Sequence, residues 1–417
     1  MDGALDQSQL YRLPWTLPDN AINWLEPTSA CNLRCDGCYR KNTPNGHKPL
    51  DVVRRELETF NRLRRTDGVS IAGGDPLLHP EIEQIVAMVA GMGQKPIINT
   101  NGLALTPEKL RALKRAGVVG FTFHIDSGQD RPEMRGKSEV ELNDLRLRYA
   151  CMLAEVGGVS CAFNATVYPH TLQDVPAIVA WGQEHIDIVH TLVFIAYRAV
   201  PVTEGYDYMV GGRKVDAGRL AFYSQPTRRD ILSTDVVAEI RKACPEFMPS
   251  AYLNGTERPD QFKWLLTMRV GTKRKIYGYL GPKLIEVAQV LHHLTRGTYL
   301  AYMKPGTLGR GRSLLLLSPL DRGVRRTAGA YLRGLLASPG QLFSRLRLQA
   351  VMIIQPADFM ANGALSMCDG CPDITVHEGR LVWSCRLEEL VTFGDWVRPV
   401  VTPSAAEAAA PPAGLPQ

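Results

Sequence analysis

The sequence predicts an α/β protein: a parallel sheet curling into a partial (β/α)6 barrel, followed by a basic helical region and a small C-terminal metal-binding module. Three observations predict it. Strand-like and helix-period segments take turns over the first two hundred residues, the next stretch turns basic, and six of the nine cysteines fall into two tight clusters.

The elements follow in order. After an N-terminal extension (1–20), the first strand candidate is Ile22 to Glu26. Later ones are 69–73 (VSIAG), 95–99 (KPIIN), 118–125 (VVGFTFHI), 159–168 (VSCAFNATVY) and 189–197 (VHTLVFIAY), each bounded by Gly, Pro or polar residues. Helical periodicity fills the gaps. Asp51 to Leu63 repeats apolar residues at Val53, Leu57, Phe60 and Leu63; Pro80 to Met92 opens with proline and acids; Thr106 caps a helix beginning Pro107-Glu108. Strand–helix alternation makes a parallel sheet over 21–204, with its chemistry in the loops at the strand carboxyl ends.

With 45% apolar and 22% charged residues the chain is globular. No basic start precedes an apolar run, and no stretch approaches the roughly 18 apolar residues of a spanning helix, so the cytoplasm is the expected location. In a reducing compartment, clustered cysteines bind metal more often than they pair. Cys151, Cys161 and Cys244 stand apart and read as small buried apolar residues. Charge is bipartite: residues 255–350 carry 17 Lys plus Arg against 4 Asp plus Glu, a local +13 that leaves −7 for the rest of a chain of net +6.

The loop after the first strand, SACNLRCDGCYR, holds Cys31, Cys35 and Cys38. Three thiolates so close suit a four-iron cluster with one iron left for substrate. A structural zinc completed by a residue such as His47 is the alternative. Two glycines in GGDP let backbone approach a ligand closely, although an ordinary tight turn has the same composition.

The ordered set of motifs resembles the radical S-adenosylmethionine (SAM) superfamily. Cys31-x3-Cys35-x2-Cys38 is followed by AGGDPLLHP (72–80), NTNG (99–102), FHIDSG (123–128) and NATV (164–167), all within residues 20 to 200. The resemblance implies a 4Fe–4S cluster on the three cysteines, with the amino and carboxylate groups of SAM on its open iron. It implies that Gly73, Gly74 and Asp75 meet the methionine ammonium, and that Asn101, Asp126, Ser127 and Asn164 are cofactor contacts, Asp126, Ser127 and Asn164 toward the ribose or carboxylate. Arg135 in MRGK resembles an arginine–glycine pair of several subfamilies. Two departures stand out: Asp75 replaces a glutamate, and Gly37 replaces an aromatic, whose place against adenine Tyr39 could take. The implied activity is reductive cleavage of SAM to a 5′-deoxyadenosyl radical that abstracts hydrogen from carbon, fed by a one-electron donor such as flavodoxin or ferredoxin. No cobalamin domain is expected.

Residues 367–398 repeat the theme with Cys368, Cys371 and Cys385, a CxxC followed by a hairpin-like interval with Glu378-Gly379 at its tip. This resembles an abbreviated SPASM or twitch module, implying an auxiliary iron–sulfur cluster. Zinc is the alternative, and Cys244, Asp369, His377 or the substrate could supply a fourth ligand. Between the modules, 205–366 reads as a basic, partly amphipathic helical region. It has a helix over 282–294, an apolar run at 313–320, and helices over 324–348 carrying Arg325, Arg326, Arg333, Arg345 and Arg347 beside leucines. Such composition suits the surface of an anionic membrane or a solvated helical lid. The tyrosines form no stacking platform, so no nucleic acid is expected. His292 and His293 read as helix surface and core. Residues 399–417 read as a disordered tail.

The expectation is a radical SAM enzyme acting on a hydrophobic, lipid-like substrate, peripheral on the inner membrane face. A ribosomal-peptide maturase is the alternative enzyme, although no winged-helix segment is visible before residue 20. A non-catalytic iron–sulfur scaffold or sensor is the alternative of another class.

Overall fold

A computed structural model describes residues 5–198, 205–220, 223, 231–360 and 362–402. The chain opens with β1 (Tyr11–Arg12) and β2 (Ile22–Thr28), then alternates helix and strand. The order is α1 (Leu50–Leu63), β3 (Gly68–Gly73), α2 (Ile82–Gly91), β4 (Lys95–Thr100), α3 (Pro107–Ala116), β5 (Gly120–His124), α4 (Asn143–Val156), β6 (Ser160–Val167), α5 (Val175–Glu184) and β7 (Thr191–Ala196). Strands β2 to β7 are parallel neighbours in sequence order. The expected six-strand α/β core is therefore present.

Local chemistry explains the helices. In α1, Val53, Leu57 and Phe60 at helical spacing are wholly buried, while Leu63 at its end is partly exposed. The Thr106 hydroxyl accepts from Lys109 N at 3.2 Å to open α3, and Gly117 in the left-handed region closes it. These inner faces meet the β2–β7 strands in one apolar core.

The sheet does not stop at β7, which the sequence reading did not anticipate. Beyond β8 (Tyr206–Val210), β9 (Arg213–Lys214) and α6 (Ser233–Ala243) come β10 (Ala251–Asn254), β11 (Phe262–Gly271) and β12 (Ile276–Tyr279). The basic helices follow as α7 (Pro282–Arg296), α8 (Pro305–Leu308), α9 (Gly311–Leu314) and α10 (Arg322–Ala337). Then β13 (Arg347–Ile354) runs parallel beside β7, with Ala350 opposite Thr191. The sheet order is β1-β10-β11-β13-β7-β6-β5-β4-β3-β2, and β11 is antiparallel to its neighbours β13, β10 and β12. Of the helices expected over 324–348, α10 ends at Ala337, a short 3-10 turn follows at Pro339–Phe343, and the last residues are strand. RLQAVMII is apolar enough for a central strand, and the arginines before it masked the change of period.

The C-terminal part contains β14 (Asp358–Phe359), β15 (Leu365–Ser366), β16 (Ile374–His377), β17 (Arg380–Trp383), α11 (Leu387–Phe393) and β18 (Arg398–Val401). The hairpin β16–β17 turns at Glu378 and Gly379, both with positive φ, where the sequence placed its tip, and β16 packs on β2. Part of the expected tail is ordered, since β18 pairs with β8; residues 403–417 lie outside the described residues. Of the three isolated cysteines only Cys161 is buried; Cys244 is half-buried, and Cys151, on the outer face of α4, is exposed. His292 Nδ1 donates to Thr298 O at 2.7 Å and His293 meets Asp19 at 2.8 Å, consistent with helix-surface roles.

Candidate functional site

A cavity of about 660 Å³ opens at the carboxyl ends of β2 to β7 and β13. Both cysteine triads line it: Cys31, Cys35 and Cys38 from the loop after β2, and Cys368, Cys371 and Cys385 from the C-terminal module.

The first triad is braced from three sides. Asn42 closes its loop by accepting from Cys31 N at 3.0 Å and donating to Cys31 O at 2.7 Å. Asn101 Nδ2 donates to Asn32 Oδ1 at 2.7 Å and lies 3.7 Å from Cys31 Sγ. Asp36 N donates to Gly128 O, tying the loop to the segment after β5. Gly73 and Gly74 are required where β3 passes this loop, because a Cβ on either would lie 2.2 Å from a carbonyl oxygen, of Thr28 and Ala30 respectively. The glycines therefore let two stretches of protein backbone close on each other, and both still line the cavity.

Burial pushes all three thiols up, and the nearness of their charges to one another adds to it for Cys35. Three crowded sulfurs, costly to ionise alone, are a donor set that a cationic iron–sulfur cluster satisfies. In the second triad, Cys371 shares a proton with Cys368, which lowers Cys368 and raises Cys371, and burial lifts Cys385 to about 12. That triad fits a metal group by the same chemistry. Among the described residues no three His, Cys, Asp or Glu side chains gather closely enough to hold a metal ion.

Of the expected SAM contacts, Tyr39, Gly73, Gly74, Asn101, Asp126 and Asn164 lie on the cavity. Asp75, Ser127 and Arg135 are not among its lining residues. The Asp75 carboxylate is buried and turned inward, accepting from Thr100 Oγ1 (2.7 and 2.9 Å), Asn101 N (2.9 Å) and Leu77 N (3.0 Å), so it braces the β3 and β4 loops. Burial raises its pKa against the pull of these donors. Ser127 N is held by Glu139 Oε1. Arg135 pairs at the surface with Asp130 at 2.8 Å.

The sequence reading passed over Arg131, whose buried guanidinium donates to Asn101 O (2.6 Å), His124 O (3.0 Å) and Gln129 Oε1 (2.8 Å), locking the loops after β4 and β5. The signal was an arginine four residues earlier, in DRPEM. Asp126 is both wall and brace: burial raises it, but His124 at 2.7 Å and Thr166 N at 2.9 Å outweigh that and hold it below the usual range. Asn99 Nδ2 and Asn164 Oδ1, both on the wall, are buried atoms without a hydrogen-bond partner, the kind of site a polar ligand completes. Tyr39 lines the cavity, with Arg40 over its ring at 5.3 Å, and burial raises its hydroxyl pKa.

None of the residues considered as a fourth ligand to the second triad lines the cavity. Cys244 ends α6 near Glu246 and Arg269, Asp369 pairs with Arg12 at 2.8 Å, and His377 lies on the β16 hairpin. Asp373, two residues past Cys371, does face the cavity, with its carboxyl raised to about 7 by burial against the pull of Arg64. His47, offered as a zinc ligand for the first triad, instead meets the Thr28 hydroxyl at 2.8 Å.

Residues 25–182 match the family model described as the Radical SAM superfamily. That stretch of the chain is a radical SAM domain. A stretch of 107 residues is 37% identical to GTP 3′,8-cyclase of Chlorobaculum tepidum, covering 24% of this chain and 31% of that one. A stretch of 108 residues is 31% identical to AdoMet-dependent heme synthase of Methanosarcina barkeri, covering 25% and 30%. The chain thus spans about a third of the length of these curated relatives. Streptococcus suis SuiB, solved bound to S-adenosylmethionine, aligns over 55% of this chain and 48% of its own at 15% identity, with a TM-score of 0.39.

Proposed function

We propose that this radical SAM protein reductively cleaves S-adenosylmethionine and abstracts hydrogen from a carbon of a hydrophobic, lipid-like substrate, with a second iron–sulfur cluster at Cys368, Cys371 and Cys385. The observation that carries the reading is that both cysteine triads line one cavity.

When bound on Cys31, Cys35 and Cys38, a 4Fe–4S cluster would supply the electron that opens the SAM sulfonium. The rest falls to the chain. Asn99, Asn164 and Asp126 present polar groups on one wall, suited to orienting the cofactor. Trp24, Leu33, Trp264, Ile354 and Met367 give the cavity an apolar wall that excludes water from a reactive centre and suits a hydrocarbon more than a charged substrate. Electrons would come from a flavodoxin or ferredoxin.

The test is 5′-deoxyadenosine formation by anaerobically reconstituted protein with SAM and a strong reductant, with and without a lipid extract. Stimulation by lipid supports the whole reading. Cleavage indifferent to lipid keeps the enzyme and turns the search to peptides. A preparation that holds its iron yet forms no 5′-deoxyadenosine is a scaffold or sensor.

A further inference from the structure

Between residues 305 and 346 the sequence carries seven arginines and one acid. The acid, Asp321, is buried: its carboxylate caps α10 by accepting from Val324 N at 2.9 Å and also accepts from Gly281 N and Leu284 N. All seven arginines are exposed. The segment therefore offers solvent cationic charge with no carboxylate among it.

Large apolar side chains stand among those cations. Helix α10 packs on β12 and buries Val324, Thr327 and Tyr331, leaving Leu332 and Leu336 on its outer side, Leu336 at 85% exposure. The turn before it (315–317) exposes Leu316 at 80%, and the turn after it (339–343) exposes Phe343 at 90% beside Leu342. Both turns pack on α10, the first before its start and the second after its end, which brings Leu342 and Phe343 to the end of the helix that carries Leu336. Burying such groups is the ordinary solution, and a contiguous exposed set marks a docking face.

The apolar tip is held in place by the rest of the fold. Arg312 donates to the carbonyls of Leu342 and Ser344, and the Tyr277 hydroxyl bonds Gln341. Arg325 donates to Pro319 O at 3.1 Å and so fixes the other turn. Polar anchoring of that kind holds Leu342 and Phe343 outward.

We propose that the 310–345 face docks on an anionic lipid bilayer, with Leu336, Leu342 and Phe343 entering the interface and the arginines meeting lipid phosphates. Charge complementarity chooses this occupant: phosphate-bearing lipid satisfies the guanidinium groups and its acyl boundary the leucines and phenylalanine. Nucleic acid would leave the apolar tips in water. Among the described residues no helix is long and apolar enough to cross a membrane, so the contact is interfacial. The inference goes beyond the catalytic reading and does not depend on it, since the face lies outside the cavity.

The experiment is co-sedimentation of the full 417-residue chain with phosphatidylcholine vesicles, with and without 30% phosphatidylglycerol, at low and high salt. Expected is binding at least tenfold stronger to the anionic vesicles, weakened by salt. Leu336→Ser with Phe343→Ser should weaken it about tenfold. Arg322→Glu, Arg326→Glu and Arg333→Glu together should abolish the preference for anionic lipid. Both variants should keep the wild-type melting temperature and lipid-free SAM cleavage, which separates failure here from failure of the catalytic reading. No binding to anionic vesicles overturns the proposal. So does a wild-type dimer that the serine variant disperses, or RNA binding that the serine variant leaves unchanged.

Discussion

Tyr197, just past β7, sets its ring edge where a side chain on Gly37 would stand: a Cβ at Gly37 would lie 2.6 Å from Tyr197 Cε2. Gly37 also holds φ at +71°, in the left-handed region. Gly37→Ala should thus strain the loop between Cys35 and Cys38 by about 1–2 kcal/mol from backbone alone, before the ring is displaced. The expected outcome is reduced iron loading on the first triad, read by iron content and visible absorbance per chain. Because the ring is the obstacle, adding Tyr197→Ala should restore part of the loading. Full loading of the single variant would mean that the ring yields freely.

The two triads should separate by function. Cys35→Ala is expected to abolish 5′-deoxyadenosine formation and to remove roughly half of the iron. Cys371→Ala is expected to remove a similar share of iron while leaving abortive SAM cleavage measurable. Equal loss of cleavage in both would make the C-terminal site structural.

Much of this was legible in the sequence because parallel strands write themselves as apolar runs ending in Gly, Asn and Asp. The motifs after β2 to β6 all fall at one end of the sheet, and both cysteine triads line the same cavity there. What the sequence hid is side-chain direction. Asp75 looks like a ligand in GGDP, yet the turn aims its carboxylate at Thr100 Oγ1 and two backbone amides, where it braces the loops. Arg131 and Arg135 differ by one turn of a loop, and only the structure distinguishes the buried brace from the surface partner of Asp130. Strand β13 was hidden because its central place depends on pairing with β7, a contact between residues some 160 positions apart.

Arg40 couples the two sites mechanically. It follows the first triad, pairs with Glu26 on β2, reaches Glu388 on α11 at 3.5 Å and donates to Ser384 O at 3.2 Å; Ser384 Oγ in turn donates to Glu26 Oε1 at 2.7 Å. Arg40 and Glu26 are both buried, so Arg40→Ala leaves a carboxylate without its counter-charge, at a cost of about 3–5 kcal/mol. Arg40→Met with Glu26→Gln should recover most of that loss in a denaturant-unfolding cycle. Arg40→Ala should also expose C-terminal iron to chelator sooner than iron of the first triad, because Ser384 precedes Cys385. Equal chelation rates would confine Arg40 to stability.

His190 gives the fold a defined acid limit. Its ring is buried before β7 and Nδ1 accepts from Cys161 N at 2.9 Å; burial first, then Arg347, lowers its pKa from 6.5 to about 4. Between those values the unfolded chain holds the extra proton, so stability rises with pH. The contribution is complete above about pH 6.5 and is lost as pH falls toward 4, to a limit of about 3 kcal/mol. His190→Asn keeps an acceptor for Cys161 N and cannot titrate. Its unfolding free energy should therefore fall less between pH 7.5 and 4.5 than the wild type's, by about 2–3 kcal/mol. Parallel profiles would assign the acid sensitivity to other groups, with the carboxylates that are stabilised in their charged form, such as Asp126, next in line.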